Sequence, residues 1–312
     1  MRVASVDIGS NSTRLLVAEV VDGRVTSELA RESIVTRLGQ GVDATGRLAD
    51  EAIERVYAVL DGYRRTIDDT QAERTVAVLT SAVRDSENGE AFRTAVKHRY
   101  GFDARVLEGT EEAELTFLGA TSERAPGADP GDIVVIDIGG GSTEFVVGRQ
   151  GAVRFFTSLQ AGVVRMSERH LHHDPPTPDE LRSLTEDVKR TIATGLPEDV
   201  RRPGSVAHAV AVAGTATTAA AMALELEPFD PARVHGHHIG LDTLTALRDE
   251  LAAKTNAERE RRPGLHPARA PTIVAGMAML RECVAAFGLD HAEVSEHDIL
   301  RGAALARAAE AA

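Results

Sequence analysis

The chain has 312 residues, of which 43% are hydrophobic and 27% charged, and its net charge is −13. This composition is typical of a globular protein large enough for two domains. The acidic charge and the 4% aromatic content argue against a nucleic-acid-binding surface, and no apolar run is long enough to cross a membrane. The single cysteine, Cys283, cannot form an internal disulfide, so we expect a cytoplasmic protein.

An internal repeat is the first feature along the chain. The segment DIGSNSTRLLV (7–17) recurs as DIGGGSTEFVV (137–147) at an offset of 130 residues without a gap. Each copy follows a β-branched apolar run and precedes another, so each predicts a β-hairpin with a polar turn. A hairpin repeated at about the length of one domain predicts two similar domains.

Strand and helix patterns alternate through the rest of the chain. Period-two and apolar runs predict strands, and apolar residues three and four apart predict helices. The predicted strands are 33–38, 75–81, 104–109 and 209–214, and the predicted helices are 50–67, 89–100, 109–123, 177–196, 215–226, 241–255, 269–288 and 294–312. Thr110 is the expected N-cap of its helix. The Pro- and Gly-rich stretch 123–132 is the expected linker.

The two repeated turns carry the strongest chemical signal. Glycine lets the backbone approach a phosphate closely, and successive N–H groups then form an anion site to which hydroxyls add donors. The candidate phosphate-binding residues are Ser10, Asn11, Ser12, Gly139, Gly140, Gly141, Ser142 and Thr143. Asp7 and Asp137 precede the turns, where a carboxylate can hold magnesium.

A third segment, AVAVAGTATTAAA (209–221), reads as an apolar strand, a turn and a helix. It places Gly214 and Thr215 at a helix N-terminus, which is a second kind of anion site. The junction is common in α/β proteins, so it gains weight only beside the two repeated turns.

Together the motifs DIGSNS, DIGGGSTE and AGTATT resemble the phosphate loops of the actin, heat-shock-70 and sugar-kinase superfamily. Further segments resemble one branch of it, the exopolyphosphatase/guanosine-pentaphosphate phosphohydrolase family, in its short two-domain form. They are RLGQGVDATGRL (37–48), TSAVRDSEN (80–88), VLEGTEEAELTFLGA (106–120), SLQAGVVRMSE (158–168) and RAPTIVAGMAML (269–280). The resemblance covers residues 3–305.

The resemblance implies roles for four further groups. Glu112 matches the second Glu of the GxEEA motif and would activate or orient the attacking water. Arg84 matches the Arg of TSAxR and would bind the terminal phosphoryl group. Asp137 and Glu144 would position magnesium together with Asp7, although another divalent ion and a need for potassium stay open.

The implied fold is α/β, with two RNase H-like domains and a cleft between them. We expect domain I to span 1–124, with a returning helix 296–312, and domain II to span 125–295. The implied activity is removal of the terminal phosphate of inorganic polyphosphate, in a protein that can form a homodimer. Guanosine-pentaphosphate 5′-phosphohydrolysis is the alternative; a non-catalytic phosphate or nucleotide sensor and an ATP-dependent kinase are more distant ones.

Two histidine clusters, HLHH (170–173) and HGHH (235–238), raise the question of a metal site. Neither contains an i, i+4 pair with a nearby Glu, and adjacent His side chains diverge in any regular element. We therefore expect no metal site at either cluster, and their role stays open.

Overall fold

The computed structural model describes residues 1–125 and 131–310, apart from the side chain of Asp43. Contacts divide the chain into two compact units: the first unit is Met1–Ser122 with Asp298–Ala312, and the second unit is Glu123–His297. The expected linker 123–132 and helix 296–312 lie partly outside the described residues, at 126–130 and 311–312. The predicted domain boundaries stay a prediction, because compactness does not show that a segment folds alone.

The first unit contains a five-stranded sheet in the order β3-β2-β1-β4-β5. Strands β1, β4 and β5 are parallel, and β2 and β3 are antiparallel to their neighbours. The elements up to Ser122 are β1 Arg2–Ile8, β2 Ser12–Val21, β3 Arg24–Val35, α1 Val42–Thr45, α2 Asp50–Asp69, β4 Arg74–Leu79, α3 Ser81–Arg84, α4 Gly89–Tyr100, β5 Asp103–Val106 and α5 Gly109–Thr121.

The second unit contains a six-stranded sheet in the order β10-β11-β9-β6-β7-β8. Its elements are β6 Ile133–Ile138, β7 Thr143–Arg149, β8 Ala152–Leu159, α6 Val163–His170, α7 Pro178–Gly195, α8 Glu198–Arg201, β9 His208–Val212, α9 Ala213–Ala223, α10 Pro231–Val234, β10 His238–Gly240, α11 Leu241–Ala252, α12 Asn256–Arg259, α13 Ile273–Ala285 and β11 His291–Val294. The short strands β10 and β11 were not predicted, because three or four residues carry too little alternation to be recognised. The predicted α/β class is confirmed.

The repeated hairpins have the same register in the two units. Asp7 pairs with Arg14 across β1 and β2, and Asp137 pairs with Glu144 across β6 and β7. A third antiparallel strand follows each hairpin through a two-residue turn, 22–23 or 150–151, in which both residues have positive φ. Such turns match the right-handed twist of the flanking strands. The hairpins predicted from the repeat are therefore confirmed.

The last helix, α14 Ile299–Ala309, belongs to the first unit and covers one face of its sheet. Val3 packs against Ala304 on that face, and the Ser5 hydroxyl donates to the Leu300 carbonyl at 2.7 Å. The alternate β1 residues face a second cluster that includes α2. Because both faces are covered, the sequence of β1 is a nearly continuous apolar run.

The predicted helix 294–312 is shorter than expected. It begins after Asp298, which accepts the Leu300 amide, and β11 occupies its expected start.

Helices α5 and α14 cross at close range within the first unit. A Cβ at Gly119 would overlap the Asp298 carbonyl, and a Cβ at Gly302 would overlap the Leu115 carbonyl. Only glycine permits this backbone separation. The crossing holds the helix that carries Glu112 against the helix that follows Asp298.

A buried carboxylate organises the surface of α7 in the second unit. Asp187 accepts hydrogen bonds from His170 Nε2 at 2.8 Å, Arg169 at 3.2 Å and Arg190 at 2.5 Å. Burial alone would raise the pKa of Asp187, but these three donors outweigh burial and hold the pKa below its usual range. A depressed pKa contributes stability above the unfolded pKa, and this contribution is lost as pH falls through the folded pKa.

We expect Asp187→Asn to lower the free energy of unfolding by about 2 kcal/mol at pH 7, because it removes charge-assisted hydrogen bonds. The difference from the parent protein should shrink below pH 4. Urea unfolding at pH 7, 5 and 3 measures it. Asp179→Asn, on the exposed face of the same helix, should change stability by less than about 1 kcal/mol. A pH-independent loss in Asp187→Asn would contradict the assignment.

No helix among residues 1–125 and 131–310 has the length and apolar character that a membrane crossing requires.

Candidate active site

The turn between β1 and β2 is tight and leaves amides available. The Gly9 amide donates to the Ser12 carbonyl at 3.0 Å, which closes the turn. The Ser10 and Asn11 carbonyls accept amides from the segment after β3, at 2.8–3.0 Å. The amides of Ser10 and Asn11 have no acceptor in the part of the chain that the structure describes. The Ser10 hydroxyl lies 3.1 Å from that of Ser81.

Asp7 shares a charged cluster with two residues of the first unit. Arg14 donates to Asp7 Oδ2 from Nη2 at 2.5 Å and from Nε at 2.9 Å, and its Nη1 contacts Asp298. Asp7 Oδ1 is buried and makes no hydrogen bond among the described residues. Burial raises the pKa of Asp7, and the Arg14 guanidinium opposes that effect.

Arg84 and Glu112 meet at the carboxyl ends of neighbouring parallel strands. Arg84 ends α3 directly after β4, and Glu112 lies in the first turn of α5 after β5. Arg84 Nη1 donates to Glu112 Oε2 at 3.3 Å and to the Leu107 carbonyl at 3.1 Å. Both side chains are largely buried, 19% and 11% exposed. The fold therefore brings together the two residues that the resemblance names as catalytic.

The start of α5 differs from the expectation in one detail. The N-cap is Glu108 rather than Thr110, and Glu108 and Glu111 form a reciprocal capping box. Thr110 lies inside the helix because Gly109 already has helical geometry. Glu111 is therefore committed to the helix end, whereas Glu112 contacts Arg84.

The glycine turn between β6 and β7 of the second unit is hydrogen-bonded to the start of α6. The carbonyls of Gly139 and Gly140 accept amides of Val163 and Val164 at 2.9 Å. The amides of Gly140 and Gly141 have no acceptor among the described residues, which is the arrangement of an anion-binding turn. The predicted phosphate loop thus has donors to offer.

We expect Gly162→Ala to disrupt this turn, because its Cβ would overlap the backbone of Gly140 and Gly141. The backbone of Gly162 is extended, a conformation that any residue adopts. The expected effect therefore comes from the steric clash of the added Cβ and not from backbone strain. The cost should be about 1–3 kcal/mol of stability, and misplaced amides should lower phosphate release by about 10²-fold. Thermal melts and a phosphate-release assay measure both.

The matched control is Gly62→Ala in the interior of α2, where a Cβ meets no atom within 4 Å. It should stabilise the protein by about 0.5–1 kcal/mol and leave activity unchanged. Equal behaviour of the two alanine variants would refute the role of the close approach.

Asp137 and Glu144 are directly paired across β6 and β7. Glu144 is buried and accepts a hydrogen bond from the Ser158 hydroxyl at 2.6 Å. Oxygen donors on adjacent strands suit a hard cation such as magnesium, and the buried Asp7 Oδ1 in the first unit is a further oxygen of this type. In each unit, the predicted residues therefore offer the type of oxygen donor that magnesium prefers.

Two of the predicted phosphate-binding hydroxyls are used inside the second unit. The Thr143 hydroxyl donates to the Ala161 carbonyl at 2.5 Å, and the Thr215 hydroxyl donates to the Ile138 carbonyl at 3.0 Å. Both residues are almost fully buried. These hydroxyls brace the turns in the structure.

Two arginines near the second unit's turns were missed from the sequence. Arg165 Nε donates to the Gly141 carbonyl at 2.9 Å. The Arg269 guanidinium lies where a Cβ of Gly214 would be, at the N-terminal turn of α9. The only sequence signal for Arg269 was its position as the first residue of the segment 269–280. Both residues bring positive charge to anion-binding turns in a chain of net charge −13.

The HLHH cluster makes contacts with carboxylates and hydroxyls of α7. His170 contacts Ser183 and Asp187, and His173 Nδ1 lies 2.8 Å from Glu180. These contacts connect the end of α6 to α7.

Comparison with known proteins identifies the family. The Ppx/GppA phosphatase family model matches residues 16–305. Exopolyphosphatase 2 of Mycobacterium tuberculosis is 38% identical over 98% of this chain and 98% of its own length. A guanosine-5′-triphosphate,3′-diphosphate pyrophosphatase of Vibrio atlanticus is 31% identical over 61% of this chain and 37% of its own.

Among solved structures, an Aquifex aeolicus Ppx/GppA family member is 32% identical, with a TM-score of 0.81 over 100% of this chain and 98% of its own. The family model, the relatives and the fold agree with the motifs that first pointed to this group. The chain belongs to the Ppx/GppA phosphatase family.

Proposed function

We propose that this protein is an exopolyphosphatase that hydrolyses the terminal phosphoanhydride of inorganic polyphosphate and releases orthophosphate. The observation that carries the proposal is the contact between Arg84 and Glu112 at the ends of β4 and β5. A guanidinium binds phosphoryl oxygens, and a carboxylate beside it can accept a proton from water. The name of the Mycobacterium relative supports the same substrate.

In the proposed reaction, water attacks the terminal phosphorus and the bridging P–O bond breaks. The shortened chain leaves with the bridging oxygen. Glu112 orients the water and accepts its proton. Arg84 has five N–H donors, so it can contact Glu112 and a phosphoryl oxygen together. Phosphoryl transfer depends chiefly on positioning and charge stabilisation, so these groups suffice on the protein side.

The backbone turns bind the rest of the phosphate chain in this proposal. The available amides of Ser10, Asn11, Gly140 and Gly141 donate to phosphate oxygens, and the N-terminus of α9 adds a helix dipole. Ser12, Ser142, Gly139, Gly214 and Thr215 shape these turns. Neutral amides bind an anion without adding side-chain charge.

Asp7, Asp137 and Glu144 are proposed to hold magnesium, or another divalent ion of similar hardness. A bound divalent cation neutralises charge on phosphate oxygens. Ser158 orients Glu144 through its 2.6 Å hydrogen bond, and Arg14 orients Asp7. Phosphate release should therefore be lost in chelator and restored by magnesium; a potassium requirement is tested in the same assay.

Guanosine-pentaphosphate 5′-phosphohydrolysis is the second candidate. The Vibrio relative favours it by name, and the same groups would act on its terminal phosphate. The deciding experiment compares orthophosphate release from short polyphosphate, long polyphosphate and guanosine pentaphosphate at equal phosphate-end concentration. A higher kcat/KM for polyphosphate supports the proposal, and a higher value for the nucleotide replaces it with the alternative. Binding without release from any of them would favour a sensor.

A cytoplasmic location and a homodimer complete the proposal. The single cysteine, Cys283, is buried and has no disulfide partner, which fits a reducing compartment. Cell fractionation tests the location. Light scattering over a concentration series tests whether two chains associate.

A further inference from the structure

Three side chains of the second unit that have no role in the assignments above come together. Glu123 Oε2 lies 3.9 Å from His235 Nε2 and 3.8 Å from His297 Nδ1. The two imidazole ring centroids are 4.2 Å apart. One ligand atom from each residue lies within 4.8 Å of the other two. The sequence positions are far apart, so the fold assembles this cluster.

Each of the three residues lies on a segment fixed near the end of β11. Next to Glu123, Arg124 bonds to Glu293 of β11 at 2.6 Å. The turn around His235 is held because the Gly236 amide donates to the Val294 carbonyl at 2.8 Å. The ligand groups are therefore carried by anchored backbone rather than by independent loops.

His297 is positioned by a buried serine. Its amide donates to the Ser295 hydroxyl at 3.0 Å, and the Ser295 amide donates to the Ala211 carbonyl of β9 at 2.9 Å. Ser295 is 1% exposed. The His297 side chain is itself only 12% exposed, whereas that of Glu123 is 55% exposed. The cluster thus has a largely buried histidine on its inner side and an exposed carboxylate on its outer side.

We propose that Glu123, His235 and His297 form a binding site for a transition-metal ion of the zinc class. Two imidazole nitrogens and one carboxylate oxygen are the donor set that Zn²⁺ accepts, with a fourth position left for water. Ligand atoms around a tetrahedral zinc are about 3.3 Å apart. The two measured separations to Glu123 Oε2 exceed this by roughly half an ångström, which rotation of its exposed side chain can close.

A contact of His235 competes with the metal. The Glu296 amide approaches His235 Nδ1 at 3.3 Å, the long end of hydrogen-bond range. A His235 that binds metal through Nε2 carries its proton on Nδ1 and gives up this contact. Metal binding therefore exchanges a weak hydrogen bond for a coordination bond.

The site differs in chemistry from the carboxylates assigned to magnesium. Asp7, Asp137 and Glu144 offer only oxygen, which hard cations prefer, whereas imidazole nitrogen selects zinc over magnesium. Zinc at the histidine site should therefore persist in millimolar magnesium. This separation lets the site be tested without measuring phosphate release.

Equilibrium dialysis of the full chain against Zn²⁺ in magnesium-containing buffer, followed by metal analysis, tests the proposal. The parent protein should retain one zinc. His297→Ala and Glu123→Gln each remove a proposed ligand, so they should bind zinc at least about 10–100-fold more weakly, the loss that a substitution outside the ligand set already causes. Co²⁺ in place of zinc should give visible absorption bands in the parent that both variants lose. The test does not depend on the proposed activity.

The matched control is the double variant His238→Ala with His291→Ala. It removes a neighbouring exposed pair of histidines whose rings lie 5.1 Å apart in the same unit. It should retain the zinc. Thermal melts in chelator should be the same for parent and variants, which separates lost ligation from lost folding. Equal zinc affinity in parent and His297→Ala, or an equal loss in the control, would overturn the proposal.

Discussion

Glu112→Gln should reduce phosphate release by about 10²–10⁴-fold, the usual contribution of a general base. Glutamine keeps the shape of the side chain and can still accept from Arg84 through its amide oxygen. It can no longer take a proton from the attacking water. The loss should therefore fall on kcat, with little change in KM, because phosphate binding is assigned to other groups. A phosphate-release assay at saturating substrate measures it.

The matched control is Glu111→Gln, one residue earlier in the same helical turn. Glu111 accepts the Glu108 amide in the capping box, and glutamine serves in that position equally well. The control should keep its activity and its melting temperature. Full activity in Glu112→Gln, or an equal loss in both variants, would remove Glu112 from the proposed mechanism.

Arg84→Ala should reduce kcat by about 10³-fold, the lower end of what a transition-state arginine contributes in phosphoryl transfer. The variant removes the positive charge that faces Glu112 and the bond to the Leu107 carbonyl. Arg84→Lys keeps the charge without the planar fork, so it should recover only part of the rate. A pure structural role would instead appear as a lower melting temperature with lysine fully restoring activity.

Arg93→Ala is the control for this substitution. Arg93 also bonds to a glutamate, Glu90, and to a backbone carbonyl, that of Ala104, so the same types of contact are lost. It should leave kcat unchanged. The double variant Arg84→Ala with Glu112→Gln should lose less than the sum of the single losses in free energy, since the two residues act on one transition state. Strict additivity would indicate that they act independently.

The sequence alone determined the parts of this protein that depend on neighbouring residues. The repeat at 7–17 and 137–147 predicted two hairpins, and the observed registers agree at Asp7 with Arg14 and at Asp137 with Glu144. Hairpin register depends on alternation and on the turn, and both are local. The glycines in the turns likewise indicated where amides would be available.

The ends of helices and the hydrogen-bond partners of hydroxyl groups were harder to predict from the sequence. The start of α5 at Gly109 depends on a reciprocal bond between Glu108 and Glu111, although Thr110 was the better cap by residue type. The Thr143 and Thr215 hydroxyls looked like phosphate donors until the fold placed carbonyls beside them. A hydroxyl bonds to whichever acceptor the packing brings near, and the sequence does not encode that distance locally.

Only the tertiary structure decided which distant side chains meet. It placed Arg84 against Glu112 because parallel neighbouring strands end at one edge of the sheet. It brought Asp298 to Arg14 because α14 returns to the first unit, and it gathered Glu123, His235 and His297 from three segments. Such meetings depend on burial of apolar faces spread over the whole chain. Local pattern therefore predicts the elements, and long-range packing determines the partners of their charged side chains.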